Sequence, residues 1–165
     1  MGPFFVWLET TALSVWVREA TVVYAFPGIL SLHTIGMGFV AGMSAAINLR
    51  ILGVASFVPL MELRRFFPVL WAGFWLNAAS GVVLLIGYPT KALTNPMFYL
   101  KLVFIGLALV CLKAIRKSVF SDEDLDFTPV PRRGRFWAGA SLACWTGAIF
   151  AGRLLAYTYS KLTTI

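Results

Sequence analysis

Thirty consecutive residues, Ala20 to Leu49, carry no aspartate, glutamate, lysine or arginine, and that run decides which solvent the chain folds in. At about 1.5 Å per helical residue it is long enough to cross the hydrocarbon core of a bilayer. Phe66 to Thr90 forms a second such run, and Phe136 to Ser160 another, broken only by Arg153. Between these, Ala92 to Leu112 is apolar except for Lys101 near one end, and a span drawn over 92–115 is long enough to cross. With 59% hydrophobic residues, 13% charged and a mean hydropathy of +0.82, a chain of 165 residues cannot bury this surface in a soluble core. The runs are too long and too evenly apolar for barrel strands, and period-2 alternation is absent. The expectation is an all-α, integral membrane four-helix bundle in one domain, with spans near 20–49, 66–90, 92–115 and 136–160.

Charge sets the orientation. Arg50, Arg64, Arg65, Lys113, Arg116, Lys117, Arg132, Arg133 and Arg135 fall on one side of these spans, and Arg18, Lys91, Lys101, Arg153 and Lys161 on the other. The positive-inside rule then places the first and third connections in the cytoplasm and both termini outside, periplasmic for a bacterial inner (cytoplasmic) membrane. The net charge of +7 belongs to the cytoplasmic face and reads as topology and anionic-lipid contact rather than nucleic-acid binding. Tyr24, Tyr88, Tyr99, Tyr157 and Tyr159 all fall near the outer ends of the spans, as an aromatic belt does.

The connections carry less chemistry. Residues 1–19 mix Phe4, Phe5, Trp7 and Trp16 with Glu9, Arg18 and Glu19 and lack an opening cation, which suits an N-terminal interfacial amphipathic helix rather than a cleaved leader. The loop 116–135 strings Asp122, Glu123, Asp124 and Asp126 ahead of Pro129 and Pro131 without the glycine turn and closing glutamate of a calcium loop, so it reads as solvated cytoplasmic chain. Cys111 and Cys144 lie inside spans and read as small apolar residues. Small residues repeat every fourth position at Gly38, Gly42 and Ala46 and at Gly139, Ala143, Gly147 and Ala151, with Ala140, Cys144, Ala148 and Gly152 alongside. Such stripes let helix backbones approach closely.

His33 is the chain's only histidine and sits inside the first run. Counted from Ala20, it lies roughly 16 to 20 Å below the outer end, with Lys101 roughly 7 to 9 Å deep and Arg153 about 9 to 11 Å. No acidic residue lies in any span to balance these three bases. Taken singly, the lysine and the arginine snorkel to the interface. Taken together with His33, they suit an anionic group brought in from the outer side. A haem b has that chemistry: an iron for His33 as axial ligand, and propionates for Lys101 and Arg153. Gly36, one turn after His33, removes bulk where a flat macrocycle would lie. A single histidine supplies one axial ligand per chain, so a bis-histidine haem within one chain is excluded. The competing reading is a packed histidine bonded to a backbone carbonyl or to Asn77 or Ser80 of the second span, with Pro27 kinking the first span and freeing a carbonyl.

Leu32-His33-Thr34-Ile35-Gly36-Met37-Gly38 through Asn48-Leu49-Arg50-Ile51-Leu52-Gly53 resembles the first core helix of a group of bacterial four-helix membrane proteins with no assigned reaction. Glu62-Leu63-Arg64-Arg65, Gly81, and Asn95-Pro96 to Leu100-Lys101-Leu102 extend the likeness over roughly residues 30 to 115. That group is distantly similar to copper-resistance D-type proteins and to membrane protoporphyrinogen oxidases of the HemJ type. The resemblance implies that His33 matches a haem-ligating histidine and Lys101 a functionally required lysine; the oxidase's further histidines have no counterpart here, so its reaction is not expected. Three functions stay open: a haem-b redox subunit, a non-catalytic accessory subunit or scaffold of a larger membrane complex, and copper or small-solute transport. The expected partners are lipid and other membrane subunits or further copies of the chain. Soft-metal transport lacks a clustered Met, His and Cys ligand set in the sequence.

Overall fold

In the computed structural model, which describes residues 7–20, 22–121 and 129–162, the chain is all-α, with no strand among the described residues. The helices are α1 (Ala12–Glu19), α2 (Phe26–Leu52), α3 (Leu60–Arg64), α4 (Phe67–Gly87), α5 (Pro89–Leu93), α6 (Pro96–Ser118) and α7 (Arg132–Leu162). Four stretches are long and apolar enough to cross a membrane: α2, α3 with α4, α6, and α7 up to Leu155. Large side chains such as Trp75, Val82, Val103, Val110 and Phe150 face outward, which suits a multi-pass membrane protein whose outer surface meets lipid. The acidic run at 122–126 and residues 1–6 lie outside the described residues.

Prolines and caps, rather than charges, set the helix ends. Pro27, Pro68 and Pro96 each occupy the first turn of a long helix, where a missing N–H costs nothing and the fixed φ is already helical. The first span therefore begins at Phe26 and not at Ala20, and Pro27 starts that helix instead of kinking it. The Asn95 side chain accepts the Met97 N–H at 2.9 Å and so caps α6. Gly53, at φ +102°, closes α2 in the left-handed conformation while the Val54 N–H reaches back to the Leu49 carbonyl at 2.9 Å. Arg50 Nε then donates to the Val58 carbonyl and ties the following turn to the helix.

The bundle is two helix pairs. α4 lies along α2, α6 lies along α7, and α2 against α7 joins them. The face that α2 turns inward carries Gly36, Val40, Ser44, Ile47, Asn48 and Ile51. Gly36 and Gly73 let α2 and α4 touch: a Cβ on Gly36 would stand 2.7 Å from the Asn77 backbone nitrogen, and one on Gly73 2.7 Å from Phe39 Cβ. The Gly38–Gly42–Ala46 stripe is not the seam within the chain. It lies about half a turn away from the inward face, exposed, with nothing within 4 Å of a Cβ at either glycine. On α7 the stripes are used in part, with Phe104 lying across Gly147 and Ala148 and Ala151 buried, while Gly139 faces open space.

Two apolar clusters fill the interior. Near the arginine-rich end, Ile47, Ile51, Phe67, Leu70, Leu112, Ile115 and Phe120 pack together, with the Phe67 and Phe120 rings edge to face at 5.2 Å. Higher up, Val40, Ala108 and Trp145 form a smaller core flanked by Met37, Phe74 and Ile105. At the opposite, tyrosine-bearing end, α1 docks on the end of α4, with Ser14 Oγ donating to the Gly87 carbonyl at 3.4 Å, and Thr90 Oγ1 of α5 donates to Oε1 of Glu9, just before α1, at 2.6 Å. Trp16 and Leu13 stay exposed on α1, the arrangement of an amphipathic helix packed along one side.

Candidate functional site

His33 lies on α2 two turns in from Phe26, so its depth is about 10 Å from the helix start rather than mid-membrane. Lys101 lies about 7 to 8 Å along α6 from Pro96. The two residues are thus at similar height, and the structure brings them together: Lys101 Nζ stands 3.4 Å from His33 Nε2. Both side chains are half-buried.

The imidazole's tautomer follows from its other partner. Nδ1 is 3.0 Å from the Asn77 backbone oxygen, which only accepts, so Nδ1 carries the hydrogen. Ser80 Oγ lies 3.2 Å from the same nitrogen and itself donates to the Leu76 carbonyl at 2.6 Å. Asn77 Nδ2 returns a hydrogen bond to the His33 carbonyl at 2.7 Å. His33 and Asn77 therefore clip α2 to α4 from both sides, ring to carbonyl and amide to carbonyl. Nε2 is left with its lone pair, and that lone pair is turned toward the Lys101 ammonium.

Glycines wall the pair. A Cβ on Gly81 would stand 3.0 Å from His33 Cε1, so α4 offers bare backbone to the ring's edge. On α7, Gly152 faces the Lys101 stem, its would-be Cβ 3.7 Å from Cδ and 4.0 Å from Nζ. Neither contact follows from the stripe pattern alone. The sequence marks Gly152 as a member of a small-residue stripe and Gly81 by the resemblance, but neither signal says which side chain each one faces.

Of the four residues expected at one site, the structure brings two into contact. His33 and Lys101 meet. Arg153 is exposed while its neighbour Gly152 turns to Lys101, so the arginine projects from another face of α7. Gly36 is buried at the α2–α4 contact, where the backbone of Asn77 fills the space that its missing side chain leaves. Asn77 and Ser80 are where the packed-histidine reading puts them. Among the described residues no group of three or more His, Cys, Asp or Glu side chains gathers in one place. A metal held here would have His33 as its protein ligand and take its remaining ligands from a cofactor or from elsewhere. No protein-family model, curated protein or solved structure matches the chain.

Proposed function

We propose that this multi-pass membrane protein is a haem-b-binding redox subunit, with His33 as the axial ligand and Lys101 as the counter-charge for a propionate. One observation carries the reading: a half-buried ammonium is held against an imidazole lone pair in a bundle whose four long helices contain no carboxylate. Charge at this depth calls for an opposite charge, and here a ligand must bring it. The donor set fits. Histidines that bind metals characteristically donate their second ring N–H to a carbonyl, which fixes the tautomer and orients the lone pair; His33 does this through Asn77. Lys101 has a flexible four-carbon stem beside Gly152, and that stem lets its ammonium leave Nε2 for an anionic group nearer the tyrosine end. A haem b bound there supplies one-electron chemistry. The chain's part is to fix the imidazole, to offer the cation and to exclude water with the Val40, Ala108 and Trp145 core beneath.

Visible spectra of the purified full chain, oxidised and dithionite-reduced, test this. A Soret band that His33→Ala abolishes is the expected result, and a colourless, well-folded protein from haem-supplied cells overturns it. A second reading rests on the same contacts. Both ring nitrogens already have partners within the chain, as in an accessory subunit whose histidine only clamps helices. Under that reading His33→Ala lowers the thermal midpoint without any spectral change, and the chain co-purifies with other membrane subunits in gentle detergent.

A further inference from the structure

We propose that Ser44, Asn48 and Ser141 form a closed site for one buried water molecule at the joint between α2 and α7. All three side chains have no exposed surface. Three other hydroxyls on α2 and α4 turn back on their own helix: Ser31 donates to the Pro27 carbonyl at 2.8 Å, Thr34 to Leu30 at 2.9 Å and Ser80 to Leu76 at 2.6 Å. Ser44 and Ser141 instead face each other across the two helices, with their Oγ atoms 3.5 Å apart. Asn48 Nδ2 donates into this pair, at 3.3 Å to Ser44 Oγ and 2.9 Å to Ser141 Oγ.

Counting hydrogens shows what is missing. The amide gives both of its hydrogens to the two serines, and the serine contact uses one hydroxyl hydrogen. One hydroxyl hydrogen and the Asn48 Oδ1 remain, and Oδ1 has no partner although it is fully buried. Reversing the amide only moves the deficit, since it leaves two N–H groups bare in place of one oxygen. A leftover donor and a leftover acceptor on one small cluster are what a single water satisfies: it accepts from the hydroxyl and donates to Oδ1. Buried polar atoms in a membrane bundle have no lipid partner to fall back on, so the leftover donor and acceptor must be satisfied inside the protein.

A metal cation is the other small guest that an unpaired amide oxygen attracts. The surroundings argue against it. No carboxylate lies in α2, α4, α6 or α7, and at the nearby end of the bundle Arg50, Arg64, Arg65, Lys113, Arg116, Lys117, Arg132, Arg133 and Arg135 outnumber Glu62 and the four acidic residues of the third connection. A neutral guest adds no charge to that field. The site also lies where it matters to the fold, because α2 against α7 joins the two helix pairs. A hydrated polar pin there fixes the relative height of the pairs, which apolar contacts alone leave free to slide.

The test uses the full chain in lipid vesicles, by water-edited solid-state NMR, with its thermal midpoint measured in parallel. Magnetisation is expected to pass from water to the Asn48 side-chain amide in the wild type, and this transfer disappears in Ser141→Val. Absence of transfer in the wild-type chain overturns the proposal. So does a midpoint that rises in sodium chloride but not in choline chloride, since the guest is then a cation. If Ser141→Val fails to fold, an ordered density peak within hydrogen-bond distance of Asn48 Oδ1 in a high-resolution structure of the wild type supports the water. An empty site there sinks it.

Discussion

An ammonium and a neutral imidazole are an unequal pair, and the inequality gives opposite signs to two measurements on one variant. Lys101 is half-buried with Nζ 3.4 Å from His33 Nε2 and no carboxylate in the long helices, so in the ligand-free chain its charge is carried at a cost. Lys101→Met keeps the stem and removes the charge. The ligand-free protein is expected to gain about 1 kcal/mol, read as a higher thermal midpoint, while haem retained through purification falls. A clamp-only role predicts the same gain in stability, since the ligand-free chain is the same, but no haem to lose. Glycine positions offer a second pair of residue-scale outcomes. Gly36→Ala drives a methyl into the Asn77 backbone, which cannot move aside like a flexible side chain, and should cost about 1 to 3 kcal/mol. Gly38→Ala meets nothing within 4 Å and should change the unfolding free energy by no more than about 0.5 kcal/mol. Equal costs at the two glycines would mean that α2 presents a different face to α4.

What the sequence revealed of the elements, and what it hid, has a physical cause. Charge-free runs mark where lipid replaces water, and so the four long helices and their order were legible. They do not mark where a helix begins. Arg132, Arg133 and Arg135 lie inside α7, and residues 20–25 are uncharged yet precede α2. The prolines carried the missing information. Correcting the start of α2 from Ala20 to Phe26 also moved His33 to the height of Lys101, which is why their contact could not be read from depth counted along the runs. The stripes misled for a related reason: four-residue spacing shows that a backbone can be approached but not from which side. On α2 the inward face follows His33, Gly36, Val40, Ser44 and Asn48, and Gly38 and Gly42 fall outside it. The α6 cap is the element-scale test. Asn95 is nearly fully buried, accepts the Met97 N–H at 2.9 Å and sets the start of the helix that carries Lys101. Asn95→Ala should cost about 1 kcal/mol in thermal unfolding, and Asn95→Asp should recover most of it, because the carboxylate caps in the same way.

At the scale of the molecule, the two ends of the bundle differ in what they display. One end carries Arg50, Arg64, Arg65, Lys113, Arg116, Lys117, Arg132, Arg133 and Arg135; the other carries exposed Tyr24 and Tyr99 and the docked α1, and the His33–Lys101 pair lies nearer to it. Lysine and arginine resist transfer across an energised membrane, so the arginine end is expected to stay in the cytoplasm and the tyrosine end outside. Phe57 and Thr94 are both exposed and lie at opposite ends, in the turn after α2 and in the turn before α6. In a chain with Cys111 and Cys144 replaced by alanine, Thr94→Cys should react with a membrane-impermeant maleimide in intact cells, and Phe57→Cys only after the membrane is opened. The reverse pattern would turn the molecule over and place the His33–Lys101 site within reach of the cytoplasm. Moving charge decides between orientation by these residues and orientation by the rest of the sequence. Replacing Arg132, Arg133 and Arg135 by glutamine weakens the bias on the third connection while Arg50, Arg64 and Arg65 still hold the first. Labelling of Thr94→Cys should therefore become partial rather than vanish, and a pattern left wholly unchanged would show that the remaining cations, Lys113, Arg116 and Lys117 included, suffice to set the topology.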